Sequence, residues 1–341
     1  MIQTGSVVEQ LRQQWPTLEI SIEQIHTRGD HIQDRPLSQL GGDGVFVMEI
    51  ERALREGRID LAVHSLKDLP TAQPEGLYLT AVGSREDVRD VMVFQSPSML
   101  PLPEHGSQQE KASSLSPLPL AAGNGLVGYT ARPLHPLRIG TCSLRRTAQA
   151  LALYPDAHIL PLRGNVDTRL RKLDAGDYDC IVLAAAGLHR MNLRERLADR
   201  LLYLPVDAMM PAPGQGALAL EVRDESAMRA LIAPLINGEE QATTSAERMF
   251  MRRLGAGCYL PVAAYGEVAG DILTLRGLVI SQDGRQQVRV QQSMTWTPET
   301  PVERAERLGA LLAEQALAQG ADEIIRSLID REMLEQEKEH V

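Results

Sequence analysis

Residues 137–184, LRIGTCSLRRTAQALALYPDAHILPLRGNVDTRLRKLDAGDYDCIVLA, decide the fold class. Short apolar runs typical of strands alternate in this stretch with segments whose apolar residues recur at helical spacing. The order is strand, helix, strand, helix, strand, and the five elements are predicted at 137–140, 143–153, 158–162, 166–173 and 178–184. Strands that alternate with helices in this way predict a parallel, doubly wound α/β sheet.

A shorter series of the same kind comes earlier in the chain. We predict a strand at 20–27, a helix at 45–55 and a strand at 61–66, which together form one βαβ unit. The interval 95–136 is rich in Pro, Ser and Gly and has little periodicity. It is therefore interpreted as an inserted loop or linker, without assigned structure.

The last third of the chain has a different pattern. A strand is predicted at 217–222 and an amphipathic helix at 243–254. Three alternating segments then predict strands, at 262–268, 272–281 and 287–295. A long helical pattern follows at 303–328 and is interrupted near Gly320. This region is predicted to be an α+β domain with a small antiparallel sheet.

Composition limits the classes of function. A chain of 341 residues, 43% of them hydrophobic, can bury two or three separate cores. Its net charge of −10 argues against a general nucleic-acid binder, so any anion site must be local. Residues 1–10 lack a signal-peptide pattern, and the most apolar run, 181–188, is much shorter than the ~20 residues of a membrane helix. We expect a soluble, cytoplasmic protein.

The three cysteines, Cys142, Cys180 and Cys258, are widely spaced and form no C-x-x-C pair. This argues against a disulfide framework and against a zinc site. Cys258 lies in a glycine-lined loop, where a reactive thiol can point away from its own domain. The alternative for Cys258 is a buried packing residue. Cys180 is interpreted as a strand residue and Cys142 as a turn residue.

Two consecutive βα units place arginines just past the end of a strand. Arg145 and Arg146 follow the first of these strands, and Arg163 and Arg169 follow the second. Because ligands of open α/β sheets bind at these ends, and Ser143 can cap the first helix, the pattern predicts an anion-binding cleft. Carboxylates or phosphates are the natural ligands. The alternatives are solvated surface arginines and, for Arg163, binding to a loop carbonyl.

The earlier unit ends in VHSLKDLP, residues 63–70, which brings Lys67 and Asp68 to the equivalent edge of a sheet. The alternative for Asp68 is a turn aspartate paired with Lys67. His64 lies inside an apolar strand and is interpreted as a hydrogen-bonded core histidine rather than a base.

Six segments occur in the order found in the porphobilinogen deaminase family. They read VHSLKDLP, GTCSLRR, LRGNVDTR, LAAAGLHR, PGQGA and GCYLP, at 63–70, 140–146, 162–169, 183–190, 213–217 and 257–261. The chain resembles this family from residue 26 almost to the C-terminus. The resemblance implies three domains, the first two like a type 2 periplasmic binding protein with the active cleft between them.

The resemblance also gives expected boundaries. Domain 1 would comprise 1–95 and 214–236, the inserted loop 96–136, domain 2 137–213, the cofactor-anchoring domain 3 237–330, and a tail 331–341. Hinges for domain movement are expected near Gln95 and at 211–216.

The activity implied by the resemblance is that of a transferase. Cys258 would carry a dipyrromethane cofactor through a thioether, and four porphobilinogen units would be joined head to tail on it before hydrolysis releases hydroxymethylbilane. Asp68 would be the catalyst, because a carboxylate can manage protons and face the cationic azafulvene that forms when ammonia leaves. The enzyme would act as a monomer, without a metal, nucleic acid or membrane as partner.

The ring carboxylates would be held at positions that match the family's binding residues. These are Ser65, Lys67, Thr141, Ser143, Arg145, Arg146, Arg163, Arg169, Arg190 and Gln215.

Two features depart from the family. Family members open with a strand and an Arg-x-Ser-x-Leu-Ala segment that residues 1–14 do not supply, so we expect either a start placed too late or an impaired form. The lid has Asp43 and Met48 where relatives often have lysine, which predicts slower chain extension because an acidic lid repels carboxylates.

The alternative functions are a non-catalytic binding protein for small anions and a ligand-sensing regulator; the latter needs a helix-turn-helix module, which the sequence does not indicate.

Overall fold

The computed structural model describes residues 2–25, 47–72, 74–100, 136–255 and 260–339. Cys258, Asp43 and most of the predicted insertion lie outside the described residues. Among the described helices, none is both long enough and apolar enough to cross a bilayer.

The described chain contains strands and helices in alternation, followed by a strand-rich segment. The strands are β1 (Leu61–Ser65), β2 (Leu77–Val82), β3 (Asp90–Phe94), β4 (Arg138–Gly140), β5 (His158–Leu160), β6 (Cys180–Ala184), β7 (Leu201–Tyr203), β8 (Leu218–Arg223), β9 (Val262–Ala269), β10 (Ile272–Ile280) and β11 (Gln287–Thr295). The helices are α1 (Ile2–Gln14), α2 (Met48–Arg55), α3 (Leu144–Leu153), α4 (Val166–Asp174), α5 (Ala185–Arg190), α6 (Ser226–Ile232), α7 (Gly238–Arg253), α8 (Val302–Ala316) and α9 (Asp322–Glu339).

The first sheet has the order β1-β8-β2, and β8 is antiparallel to both neighbours. The second sheet has the order β5-β4-β6-β3-β7; β4 is parallel to β5 and β6, whereas β3 is antiparallel to β6 and β7. The predicted parallel sheet is thus confirmed for β4 to β6, whereas β3 and β8, for which no direction was predicted, run antiparallel to their neighbours.

The direction of β3 and β8 follows from where the chain enters each sheet. Both strands begin where the chain arrives from the other sheet, and their first residues lie opposite the last residues of neighbouring strands: Asp90 opposite Ala184, and Leu218 opposite Ser65. A strand that begins at the edge where its neighbours end must run antiparallel to them.

Two segments cross between the sheets, 83–89 after β2 and 204–217 after β7. The hinge predicted near Gln95 is therefore wrong, because β3 already belongs to the second sheet; the predicted domain boundary at residue 95 moves with it. The hinge predicted at 211–216 lies within the second crossing. The two crossings contact each other, since Glu86 N donates to Gly216 O at 3.2 Å.

The C-terminal region folds as predicted. Strands β9 to β11 form an antiparallel sheet of order β11-β10-β9, and α7 and α8 pack against it. The two helices approach closely at Gly309, where a Cβ atom would lie 2.2 Å from Ala246 O. Gly320, with φ of 94°, has non-helical backbone angles and produces a kink between α8 and α9, which confirms the predicted interruption near this residue. The predicted fold class, α/β domains followed by an α+β domain with a small antiparallel sheet, is confirmed.

The start of the chain differs from the prediction. Residues 20–25 of the predicted strand 20–27 form no strand, and residues 26 and 27 lie outside the described part. Ile20 instead packs against the core of the first sheet, beside Val7 and Leu11 of α1. We did not predict α1, because its apolar residues are too few to give a clear helical pattern.

Candidate functional site

The turn after β1 brings Lys67 and Asp68 to the edge of the first sheet. It is a single 3-10 turn, Leu66–Asp68, in which Asp68 is exposed and Lys67 is half-buried. Asp68 interacts electrostatically with Lys67 and with Arg169, which belongs to α4 beside the second sheet. This carboxylate therefore lies in the cleft between the two sheets.

A buried aspartate, Asp90, is the centre of the charged residues on the other side of the cleft. Arg145 Nη1 donates to its Oδ2 at 2.7 Å, and Arg146 donates to its Oδ1 from Nη2 at 2.8 Å and from Nε at 3.0 Å. Although burial opposes ionisation, the two guanidinium groups hold the pKa of Asp90 well below its usual range. Sequence reasoning missed this residue; the available signal was an acidic residue opening an otherwise apolar strand.

Arg145 and Arg146 are each 6% exposed, so their interpretation as solvated surface charges is wrong. Besides Asp90, Arg145 Nη1 donates to Met210 O at 2.7 Å, and Arg146 Nη1 donates to Val182 O at 3.1 Å. Burial lowers the pKa of Arg145. Since one carboxylate faces two guanidinium groups, the cluster of Asp90, Arg145 and Arg146 retains an excess of positive charge.

Lys67 approaches this group through Gln215. Its Nζ donates to Gln215 Oε1 at 3.3 Å. Burial lowers the pKa of Lys67 to about 8; Asp68 and Asp90 oppose the shift, and Arg146 with Arg145 adds to it. The charge of Lys67 is therefore sensitive to pH close to neutrality.

Two of the three remaining predicted arginines, Arg169 and Arg190, donate to backbone carbonyls. Arg169 Nε donates to Gly164 O at 2.7 Å, and burial, followed by the repulsion of Arg146, lowers the pKa of Arg169. Arg190 Nη2 donates to Gly216 O at 2.6 Å, which fixes it to the second crossing. Arg163 is half-buried.

The predicted hydroxyl residues accept hydrogen bonds from residues of the same chain, two of them from close neighbours and one from α1. Ser143 caps α3 as predicted, since its side chain accepts from Arg146 N at 3.4 Å. Thr141 Oγ1 accepts from Ser143 N at 3.1 Å. Ser65 Oγ accepts from Gln3 Nε2 at 2.8 Å, so α1 contacts the end of β1.

The segment around Gln215 requires its glycines. Gly214 and Gly216 have φ of 73° and 90°. A Cβ at Gly216 would lie 2.3 Å from Glu86 O, so the two crossings could not come together with any other residue there. Gln215 itself is fully buried, which places it behind the cleft.

Helix α7 of the third domain is attached to both crossings and to the Asp68 turn. Glu247 forms a bidentate ion pair with Arg85, at 2.7 and 2.9 Å, and accepts from Gly214 N at 2.6 Å. Arg248 donates to Leu69 O at 3.3 Å and to Pro70 O at 2.5 Å. Sequence reasoning missed these contacts, because they join residues far apart in the chain and have no local pattern.

A second chain of contacts lies where the first crossing meets the second sheet. His189 Nδ1 is 3.0 Å from Glu86 Oε1, and its Nε2 is 2.9 Å from Tyr203 Oη. The side chain of His189 thus bridges the crossing and the end of β7, another arrangement that the sequence analysis did not anticipate.

Other single-residue interpretations are confirmed. His64 is buried, with Nε2 3.0 Å from Glu221 Oε2. Cys180 is a buried strand residue whose pKa is raised by burial, and Cys142 is exposed in the turn before α3. The described residues do not include Cys258, so its role stays a prediction.

Comparison with known proteins identifies the family. The family description "Porphobilinogen deaminase, dipyromethane cofactor binding domain" matches residues 1–230, and "Porphobilinogen deaminase, C-terminal domain" matches residues 242–318. The chain belongs to the porphobilinogen deaminase family. Curated porphobilinogen deaminases agree: that of Syntrophotalea carbinolica is 44% identical over 94% of this chain and 90% of its own length. The deaminase of Laribacter hongkongensis is 41% identical over 95% of this chain and 93% of its own length.

Among solved structures, the periplasmic VFT2 domain of Bordetella pertussis BvgS is similar at a TM-score of 0.36 and 14% identity, over 67% of this chain and 74% of that one. The family assignment depends on the sequence matches alone.

As a family member, the chain is a transferase that makes hydroxymethylbilane from porphobilinogen and uses a dipyrromethane cofactor. The alternative of a non-catalytic anion-binding protein is not favoured. The residues of the cleft fit such a cofactor, because its carboxylates require cations. Lys67 interacts electrostatically with Arg145 and Arg146, and Arg169 interacts with Arg146. These four cations outnumber the carboxylates of Asp68 and Asp90.

Proposed function

We propose that hydroxymethylbilane is assembled in the cleft between the first two sheets, with Asp68 as the catalytic residue. One observation carries the proposal: the exposed carboxylate of Asp68 lies within electrostatic reach of Lys67 from its own turn and of Arg169 from the opposite side. A substrate whose ring becomes cationic while its side chains stay anionic needs both signs of charge at short range.

Asp68 would act twice in each addition. As the C–N bond of porphobilinogen breaks and ammonia leaves, positive charge develops on the ring, and a nearby carboxylate stabilises it. After the new C–C bond forms, the same carboxylate can accept the proton released from the attacked ring carbon.

The cations of the cleft would bind the acetate and propionate groups. When bound, dipyrromethane supplies the terminal pyrrole to which the substrate is joined. We assign its carboxylates to Lys67, Arg146 and Arg169; Arg146 repels each of the other two cations, and a bound anion relieves this repulsion. The other residues proposed to line or support the cleft are Ser65, Thr141, Ser143, Arg145, Arg163, Arg190 and Gln215.

Cys258 would be the attachment residue of the cofactor. Supporting this, α7 ends at Arg253, shortly before Cys258 in the chain. Through Glu247 and Arg248, the same helix contacts the crossings and the backbone that follows Asp68. The helix that precedes Cys258 in the chain is thereby connected to the walls of the cleft.

Two variants test these roles by intact mass and by bilane formation. Asp68→Asn should retain the mass of two pyrrole rings and lose about 10²-fold or more of its activity. Cys258→Ala should have the bare chain mass, whereas the control Cys142→Ala should load normally. Normal product formation by Asp68→Asn would remove Asp68 from its role, and a loaded Cys258→Ala would do the same for Cys258.

We further propose that the protein acts as a monomer in the cytoplasm, without nucleic-acid or membrane partners. The unpaired cysteine spacing and the net charge of −10 support this. Light scattering of the loaded enzyme should give a mass near the 37.5 kDa of one chain; a dimer mass would contradict the proposal.

A further inference from the structure

Asp90 is a buried charge that the proposed reaction does not use directly. Its exposed fraction is 0%, and the remaining residues of β3 are apolar. A buried carboxylate is costly unless hydrogen bonds and opposite charges compensate for it. The residues that compensate for the charge of Asp90 therefore indicate what this carboxylate does.

The partners of Asp90 come from two separate elements. Arg145 and Arg146 belong to the first turn of α3, and Gln215 Nε2, from the second crossing, donates to Asp90 Oδ1 at 3.2 Å. Gln215 Nε2 also donates to Val88 O at 2.7 Å, so its amide orientation is fixed. With Nε2 so engaged, Gln215 Oε1 faces the first sheet.

Gln215 connects this group to the first sheet, behind the cleft. Its Oε1 accepts from Lys67 Nζ at 3.3 Å. A continuous chain of hydrogen bonds therefore runs from the guanidinium groups through Asp90 and Gln215 to the residue that precedes Asp68. Asp90 does not reach the cleft itself, so any influence on a ligand must act through these neighbours.

We propose that Asp90 is a positioning residue that orients Arg145 and Arg146, and through Gln215 also Lys67, towards the carboxylates of the growing pyrrole chain. The inference deepens the proposed function and rests on it. A carboxylate that holds two guanidinium groups from behind keeps them from turning away while anions enter and leave. The negative charge of Asp90 also favours the protonated form of Lys67. Asp68 acts in the same direction, whereas Arg145 and Arg146 act against it.

The test uses the loaded enzyme and its Asp90→Asn variant. Losing the buried charge should raise the KM for porphobilinogen roughly tenfold or more and change kcat much less, because a charge-assisted contact used for binding is weakened. The second readout is the pH dependence of acylation of the Lys67 amine, followed by peptide mass spectrometry. If Asp90 had only a structural role, its substitution would leave this pH dependence unchanged. The midpoint should lie at a lower pH than in the wild-type enzyme, because the negative charge of Asp90 favours the protonated amine of Lys67.

Two controls accompany this variant. Asp87→Asn removes a carboxylate of the first crossing that is paired with Arg89, and it should leave both readouts unchanged. The acylation curve of Lys172, on α4, should be the same in all proteins. A folded Asp90→Asn enzyme with wild-type KM, or with an unmoved Lys67 curve, overturns the proposal.

If Asp90→Asn does not fold, Gln215→Met decides the question. This variant leaves the Asp90 ion pairs with both arginines in place and removes the side-chain amide of Gln215, with its hydrogen bonds to Lys67, Asp90 and the Val88 carbonyl. The Lys67 midpoint should again fall and KM should rise; two unchanged values overturn the proposal. Because acylation needs no turnover, Asp90 can be judged even if Asp68→Asn stays active and the proposed catalytic role fails.

Discussion

The two walls of the cleft present charged residues in the same sequence context but use them differently. Lys67 and Asp68 follow β1, and Arg145 and Arg146 follow β4 after a short turn. Asp68 is exposed, whereas both arginines are buried against Asp90. The strand-end position thus indicates where a charge lies, and a buried counter-ion decides how firmly that charge is held in place.

The largest expected effect is on stability: a substitution at a buried arginine should lower the free energy of unfolding much more than a substitution at the exposed Asp68. In a Cys258→Ala background, Arg145→Met should lower the free energy of unfolding by about 3 kcal/mol or more, because the buried carboxylate loses one of its two cations. Asp68→Asn should change it by less than about 0.5 kcal/mol, as is usual for an exposed side chain. Urea unfolding measures both.

The matched control is Arg253→Gln on α7. Arg253 forms an exposed ion pair with Glu314, which contributes at most about 1 kcal/mol. Equal losses for Arg145→Met and Arg253→Gln would show that burial against Asp90 is energetically unimportant, and the contrast between the two walls would disappear.

A smaller effect concerns pH. Because the pKa of Lys67 is lowered to about 8, its positive charge is nearly complete at about pH 7 and is lost as the pH rises through about 8. If this charge binds substrate carboxylates, kcat/KM should fall several-fold between about pH 7 and pH 9. In Lys67→Arg, which keeps its charge, this decline should move to higher pH; an identical profile in both enzymes would exclude Lys67 as its source.

The smallest expected effect concerns Asp43, in the segment that the family resemblance predicts to be a lid. Asp43→Lys should increase the rate of chain extension a few-fold, because the substitution removes repulsion of carboxylates and adds attraction; each unit charge contributes on the order of 1 kcal/mol in water. Rapid mixing followed by intact mass would count the units added with time. Unchanged turnover would contradict an inhibitory role for the acidic lid.

Local features of the molecule were predictable from sequence. The cap of Ser143, the interruption at Gly320 and the core position of His64 were all predicted, since each depends on a few neighbouring residues or on the period of a pattern. The antiparallel direction of β3 and β8 was not, because it depends on the path of the chain between the sheets. The predicted position of the hinge near Gln95 was wrong for the same reason.

The charged site divides in the same way. Sequence pattern and family resemblance selected Asp68, Lys67 and the arginines, and the structure brings Asp68 within electrostatic reach of Lys67 and Arg169. The pattern could not identify Asp90 as their counter-ion, because the contact with Arg145 joins residues 55 positions apart. It also could not identify Glu247, which reaches Arg85 from 162 positions away.

By itself, the sequence determined the α/β and α+β classes, the family and the residue types of the cleft, because periodicity, capping and glycine requirements act over short stretches of chain. Only the tertiary structure decided which cations are buried and which carboxylate neutralises them. Ion pairing and burial depend on distance in space, and the two crossings bring Asp90, Gln215 and Lys67 together from three distant parts of the chain.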